Sequence, residues 1–406
     1  MIVYLKLIFI IIFILILLRL KVDLGLSLFS GSLLAGIIMG MNIKELGRSL
    51  INVSMDKDTL NLIGIILLVL MLGKLLKSAG SLQDMTNSLN YLIPEARIAM
   101  ILPASIIGLL PMLGGALLSA PLVEEGSRGM RLSPEEKTFF NYWFRHIWEY
   151  CWPLYPGLIM AITIVKIPIE KLITIQFPFT VLAIVLGLGI LFFRVSKSES
   201  KVSKKGSFLE NIFLLFKSIW PIILALVLIF IIKIQMVLAL GIAVFLTFLL
   251  VKIKIKDKFK ILIESFSLKI IFLLYSVMLF KKIIFVSNVF SSILNAIGTE
   301  GYAPILMLFF TPFLIAFLTG VNHAYVAVSF PILLPIFGID KPDLVYVMFA
   351  YVSGFLGILL SPVHLCLVLT LQYFKADLKK VYKILFLPVG IIGLIAFLVL
   401  LFAKIL

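Results

Sequence analysis

The run 142-YWFRHIWEY-150 sets an arginine, a histidine and a carboxylate close together among residues that are otherwise mostly apolar. Wound as a helix, it places Tyr142, Arg145 and Glu149 on one face at i, i+3 and i+4 spacing, with His146 three residues from Glu149. That set offers two kinds of chemistry. Arg145 can grip an anion with a planar, permanently charged fork, and His146 or Glu149 can take up a proton. The plainer alternative is that Arg145 snorkels to lipid headgroups with Glu149 as its structural partner. Two more runs carry polar groups, 320-GVNHA-324 with Asn322 and His323, and 361-SPVH-364 with Ser361 and His364. Ser119, Ser329 and Ser353 add hydroxyls that either line a cavity or let helices pack closely.

Three histidines and two cysteines, Cys151 and Cys366, raise the question of a metal. Their spacing along the chain matches no metal motif, so the expectation is hydrogen-bonded histidines lining a cavity, with no metal and no resident cofactor. The sequence has no HExxH, GxSxG or paired-aspartate pattern to point to an enzyme, and no GxxxxGK[ST] loop to point to a nucleotide-driven pump.

The elements that hold these residues belong to a membrane. Hydrophobic residues make up 62% of the 406, charged residues 14%, and mean hydropathy is +1.19, outside the balance of a soluble domain. The reading is an all-α polytopic protein of the cell inner (plasma) membrane, with no stretch left for a soluble domain that buries its own core. The formal charge of +16 sits in short loops rather than on a polar face, which fits membrane orientation and not nucleic acid. The N-terminal run lacks a small-residue cleavage site and reads as a retained first helix.

Ten stretches of spanning length fall near 2–20, 23–42, 59–78, 141–165, 172–194, 211–232, 235–253, 267–288, 343–372 and 384–405. Two others, about 97–123 and 302–337, are interrupted at their centres, the first by Pro111, Gly114 and Gly115 and the second by Gly320. Lys and Arg cluster in 194-RVSKSESKVSKKGS-207, 252-KIKIKDKFK-260 and 375-KADLKKVYK-383, which assigns these loops to the cytoplasm. The orientations then agree only if each interrupted stretch is a re-entrant hairpin. Each arm of the first has about ten residues, roughly 15 Å as helix. Both termini fall outside, the loop 124–140 inside and 338–343 outside.

Residue matches point to a duplication. Tyr142, Pro153, Pro103 and Pro111 match Tyr351, Pro362, Pro312 and Gly320, each 209 residues further on. The chain divides into a first repeat, 1–194, a basic cytoplasmic linker, 195–210, and a second repeat, 211–406. Each repeat reads as three helices, a hairpin, a broken helix and a final helix. Five crossings per unit make the copy inverted, an architecture recurrent among secondary transporters. Non-helical backbone at such depth must line a protein cavity, where free N–H groups favour an anion and free carbonyls a cation. Substrate-binding candidates are therefore Pro111, Gly114, Gly115 and Ser119 at the first tip, and Gly320, Asn322 and His323 at the second. The broken helices add Arg145, Ser353, Ser361 and His364. Glu149, His146 and Asn322 are candidates for the coupling ion.

This pattern resembles the ion transporter superfamily, and 111-PMLGGALLSAPLVEEGSRG-129 together with 361-SPVH-364 resembles the domain-of-unknown-function family 401. The resemblance implies transport by superfamily analogy. In relatives that import dicarboxylates the tips carry a Ser-Asn-Thr signature. Only Asn322 matches it here, so neither dicarboxylate as substrate nor sodium as coupling ion carries over. The function expected is a secondary active transporter of a small polar or anionic solute, working by alternating access on a proton or sodium gradient. Membrane lipid and the solute are its partners, and related architectures are commonly homodimers. A membrane-embedded enzyme acting on a lipid or peptide, or an ion channel, is the alternative.

Overall fold

The computed structural model describes residues 2–93, 95–112, 114–196, 207–287 and 302–405, so most of the basic linker lies outside the described residues. All regular structure among the described residues is helical. The first half runs α1 (Ile2–Arg19), α2 (Leu24–Ile38), α3 (Ile43–Met55), α4 (Lys57–Ser78), α5 (Ser81–Leu92), α6 (Ala96–Gly108) and α7 (Gly115–Gly126). It continues through α8 (Pro134–His146), a 3-10 turn (Ile147–Tyr150), α9 (Pro156–Val165) and α10 (Ile169–Arg194). The second half runs α11 (Phe208–Phe230), α12 (Met236–Leu250), α13 (Ile255–Ser265), α14 (Leu268–Val286), α15 (Tyr302–Thr319) and α16 (Asn322–Phe337). It ends with α17 (Leu344–Leu360), α18 (Leu365–Phe374) and α19 (Leu378–Ile405).

Short polar residues set the helix starts. Asn42 with Glu45, Ser133 with Glu136 and Ser207 with Glu210 form capping boxes at α3, α8 and α11, each answering two backbone N–H groups that lack helical partners. Pro156 opens α9, a position where proline's missing N–H has no partner to lose. Among the described residues, six helical stretches are long and apolar enough to cross a membrane: α4, α10, α11, α15, α17 with α18, and α19. Ile8, Phe9 and Ile12 on α1, Phe245 on α12 and Phe386 on α19 point outward, whereas α16 and α17 are buried over most of their length. The apolar surface is thus turned to the lipid and the broken elements are held inside protein.

Three helices lie where the sequence reading had placed loops. α3, α5 and α13 are amphipathic, with Val53, Met85 and Ile261 buried against the fold, and such helices suit the plane of a membrane interface. The arms of the interrupted stretches also exceed the ten residues expected. α6 and α7 have 13 and 12 residues, roughly 20 Å each, and α15 has 18 and is by itself of spanning length.

α6 and α7 fold back on each other, as do α15 and α16. Several of the other helix contacts are reciprocal between the halves. α2 lies on α14 and α4 on α12, α3 on α14 and α13 on α4, α7 on α18 and α16 on α9. In the same way α6 lies on α8 and α15 on α17, while α8 lies on α19 and α17 on α10.

The α15–α17 seam is tight because Gly357 has no side chain. A Cβ there would sit 2.4 Å from the carbonyl oxygen of Phe313, whereas one at Gly189 would meet nothing within 4 Å. Gly357→Ala is expected to destabilise the purified protein by about 1–3 kcal/mol, the usual cost of overpacking, and Gly189→Ala to leave it unchanged or slightly more stable. Thermal unfolding in detergent checks this, and equal melting temperatures for the two variants would refute the seam.

Candidate functional site

A helix that stops inside a protein leaves its last carbonyls without helical partners, and each break here is answered by a side chain. At the first tip, Tyr155 donates its hydroxyl hydrogen to Gly108 O. Arg145 donates from Nη2 to Met112 O at 3.1 Å and from Nη1 to the Tyr155 hydroxyl oxygen at 3.2 Å. At the second tip, Ser361 Oγ donates to Phe317 O at 2.7 Å, and His364 Nδ1 lies 2.6 Å from Gly320 O. Gly114 and Gly320 make the turns at φ +69° and +64°, the left-handed region that a side chain disfavours.

The breaks also cap one another across the halves. Tyr142 on α8 donates to Ile358 O and Leu359 O at the end of α17, at 3.2 and 3.3 Å. Tyr351 on α17 donates to Glu149 O in the 3-10 turn after α8, at 3.0 Å. Tyr351 follows Tyr142, and Ile358 follows Glu149, by the same 209 residues, so each tyrosine serves the carbonyl that matches its own partner's.

Glu149 and Asn322 join the first broken helix to the second tip. Asn322 Nδ2 donates to Glu149 Oε2 at 2.6 Å, and Glu149 Oε1 is 3.7 Å from His146 Nε2. His146 Nδ1 lies 2.6 Å from Tyr142 O, and its Nε2 lies 3.0 Å from His364 Nε2. The sulfur of Cys366 completes a group with the two histidines whose ligand atoms all lie within 4.8 Å of one another. Gly157 makes room for Asn322, since a Cβ there would be 2.0 Å from Asn322 Oδ1. Two buried atoms at this centre have no hydrogen-bond partner among the described residues, Arg145 Nε and Asn322 Oδ1.

Arg145, His146, Glu149, Asn322 and His364 are thus brought together, with Gly114, Gly115 and Gly320 at the tips beside them. The pairing of Arg145 with Glu149 is replaced by other contacts. α8 ends at His146 and the backbone tightens into a 3-10 turn, which takes Glu149 off the face that an uninterrupted helix would share with Arg145. Arg145 does not reach headgroups either, being 3% exposed. Ser119 and Ser353 bond carbonyls of their own helices, and Pro111 and His323 are half-buried at the two tips. Lys281 donates to Thr163 O near the end of α9. It lines a separate cavity of about 270 Å³ with Asp56, Asp58, Lys166 and Lys282, between α4, α9, α14 and α16. Where α8 begins, the backbone N–H groups of Glu135 itself and of Asp377 hold the Glu135 carboxyl below its ordinary range. Tyr155 and Tyr351 join the site without having been expected there, the constant shift that pairs Tyr142 with Tyr351 being the one signal for Tyr351. Cys366, set aside with the histidines because their spacing matches no metal motif, lies beside His146 and His364.

Fold and site together define an all-helical protein of membrane character, with two folded-back helix pairs and two interrupted helices meeting at a polar centre. The chain belongs to the family described as Protein of unknown function (DUF401), whose model matches residues 2–403. No curated protein matches it by sequence.

Because Arg145 clamps a carbonyl and a hydroxyl with two arms of a planar fork, lysine retains the charge but not both bonds. Arg145→Lys is expected to lower stability by about 1.5–3 kcal/mol, the scale of a hydrogen bond to a charged group, read as a drop in melting temperature. An unchanged melting temperature would mean that the clamp does not hold the tip.

Proposed function

We propose that this protein is a secondary active transporter, which moves a small polar or anionic solute by alternating access on a proton or sodium gradient. In this reading it is a plasma-membrane protein of the ion transporter superfamily, with two inverted repeats of five crossings and both termini outside. The folded-back pairs α6–α7 and α15–α16 are its hairpins.

The observation that carries the reading is the junction of Glu149 with Asn322 and of His146 with His364, where the interrupted helix of one half is bonded to the tip or break of the other. Reciprocal packing and reciprocal tyrosine capping support the duplication. Two copies related in this way have two arrangements of similar energy, one open to each side, which is what alternating access requires. Arg145 Nε and Asn322 Oδ1 supply a free donor and a free acceptor at the centre, suited to a solute that carries both kinds of group or a negative charge.

Two measurements test this. Single cysteines placed in the loops 126–135 and 338–342 of a cysteine-free chain should react with an impermeant thiol reagent from opposite sides of the membrane. Reaction of both from one side would end the inverted-repeat reading. A thermal-shift screen of carboxylates, amino acids and inorganic ions, with and without sodium, should find a solute that stabilises the protein by about 2.7 kcal/mol at a hundredfold excess over its dissociation constant. Asn322→Leu should abolish that shift while keeping the fold, and an undiminished shift in this variant would place the solute elsewhere.

A further inference from the structure

The two facing imidazoles pose a problem of proton placement. Each Nδ1 lies 2.6 Å from a backbone carbonyl oxygen, Tyr142 O for His146 and Gly320 O for His364. A carbonyl only accepts, so each Nδ1 carries a hydrogen, and a neutral ring then has a bare lone pair on Nε2. The two Nε2 atoms face each other at 3.0 Å. Two lone pairs at that distance repel unless a cation sits between them.

The other groups at the same point say which kind of cation. Cys366 places its sulfur within 4.8 Å of both nitrogens, and Glu149 Oε1 stands 3.7 Å from His146 Nε2. A proton shared between the two nitrogens would not call for a sulfur beside them. Two imidazole nitrogens and a thiolate are three donors of a tetrahedral zinc-type centre, in which neighbouring nitrogens stand about 3.3 Å apart and the fourth position can be left to another ligand. The orienting hydrogen bonds of such a centre are also in place, since ligating histidines donate their other N–H to a carbonyl or carboxylate.

We propose that His146 Nε2, His364 Nε2 and Cys366 Sγ bind one borderline-soft divalent cation of the Zn²⁺ type. Mixed nitrogen and sulfur donors select such an ion over Na⁺ or Mg²⁺. On binding, the Cys366 thiol loses its proton to solvent and the sulfur donates an electron pair to the metal. The three ligands come from the two interrupted helices on either side of their breaks. The ion would therefore cross-link both halves at the point where they meet. The inference does not rest on transport and holds whether the ion is resident or carried.

The test uses the purified full-length protein in detergent, stripped with a chelator and titrated with Co²⁺ as a spectroscopic stand-in for Zn²⁺. One cobalt per chain is expected, with the visible bands of tetrahedral cobalt and a near-ultraviolet thiolate-to-metal band. Zn²⁺ should displace it. Cys366→Ser should remove the thiolate band, Cys151→Ser should leave it, and His364→Gln should weaken binding by more than roughly tenfold. Monodispersity and melting temperature of each variant separate loss of ligand from loss of fold. The proposal is overturned if the unmutated protein gives no thiolate band with stoichiometric cobalt, which is the outcome if the imidazoles share only a proton. It is equally overturned if the band survives Cys366→Ser.

Discussion

A backbone carbonyl that ends a helix among apolar side chains has no water to turn to, and leaving it bare costs several kcal/mol in a membrane. The arrangement around the centre follows from that constraint. Four chain breaks lie close together, after Gly108, after His146, after Thr319 and after Leu360, and each exposes carbonyls. Tyr155, Arg145, Ser361, His364, Tyr142 and Tyr351 answer them. Because these donors stand on the interrupted helices, a break in one element fixes the position of the next. The charged and titratable side chains are there first to satisfy backbone, and their chemistry comes with that duty.

The reciprocity of the contacts gives the constraint its consequence for function. Tyr142 and Tyr351 exchange equivalent roles between the halves, and the helices pair in mirrored order. The charges do not follow the same rule. Where α8 and the 3-10 turn after it carry Arg145, His146 and Glu149, the matching positions of α17 are Gly354, Phe355 and Ile358. The tyrosine caps repeat between the halves and the polar side chains do not, so the centre has a character of its own that the repeated contacts do not require.

Much of this was legible in the chain. Proline and glycine in the middle of apolar stretches marked both folded-back pairs and both interrupted helices, because nothing else in so apolar a sequence would stop a helix there. The Tyr142–Tyr351 match marked the reciprocal caps. Helices α3, α5 and α13 were missed because a search for spanning length passes over short amphipathic segments. The partner of Glu149 was misjudged because a helical wheel assumes that α8 continues, whereas it tightens into a 3-10 turn after His146. The approach of His146, His364 and Cys366 could not be read at all. The two histidines are 218 residues apart in sequence, and only the folding of one half against the other brings them together.

The account depends most on the bond between Glu149 and Asn322, which ties the interrupted helix of one half to the tip of the other. A double-mutant cycle with Glu149→Met, Asn322→Leu and the double variant, read by reversible unfolding in detergent, measures that bond directly. Each single change should leave a buried partner unsatisfied, and the double change should cost less than the sum by about 0.5–3 kcal/mol, the range for residues in direct contact. Additivity within about 0.3–0.5 kcal/mol, as found for independent sites, would mean that the halves do not meet there.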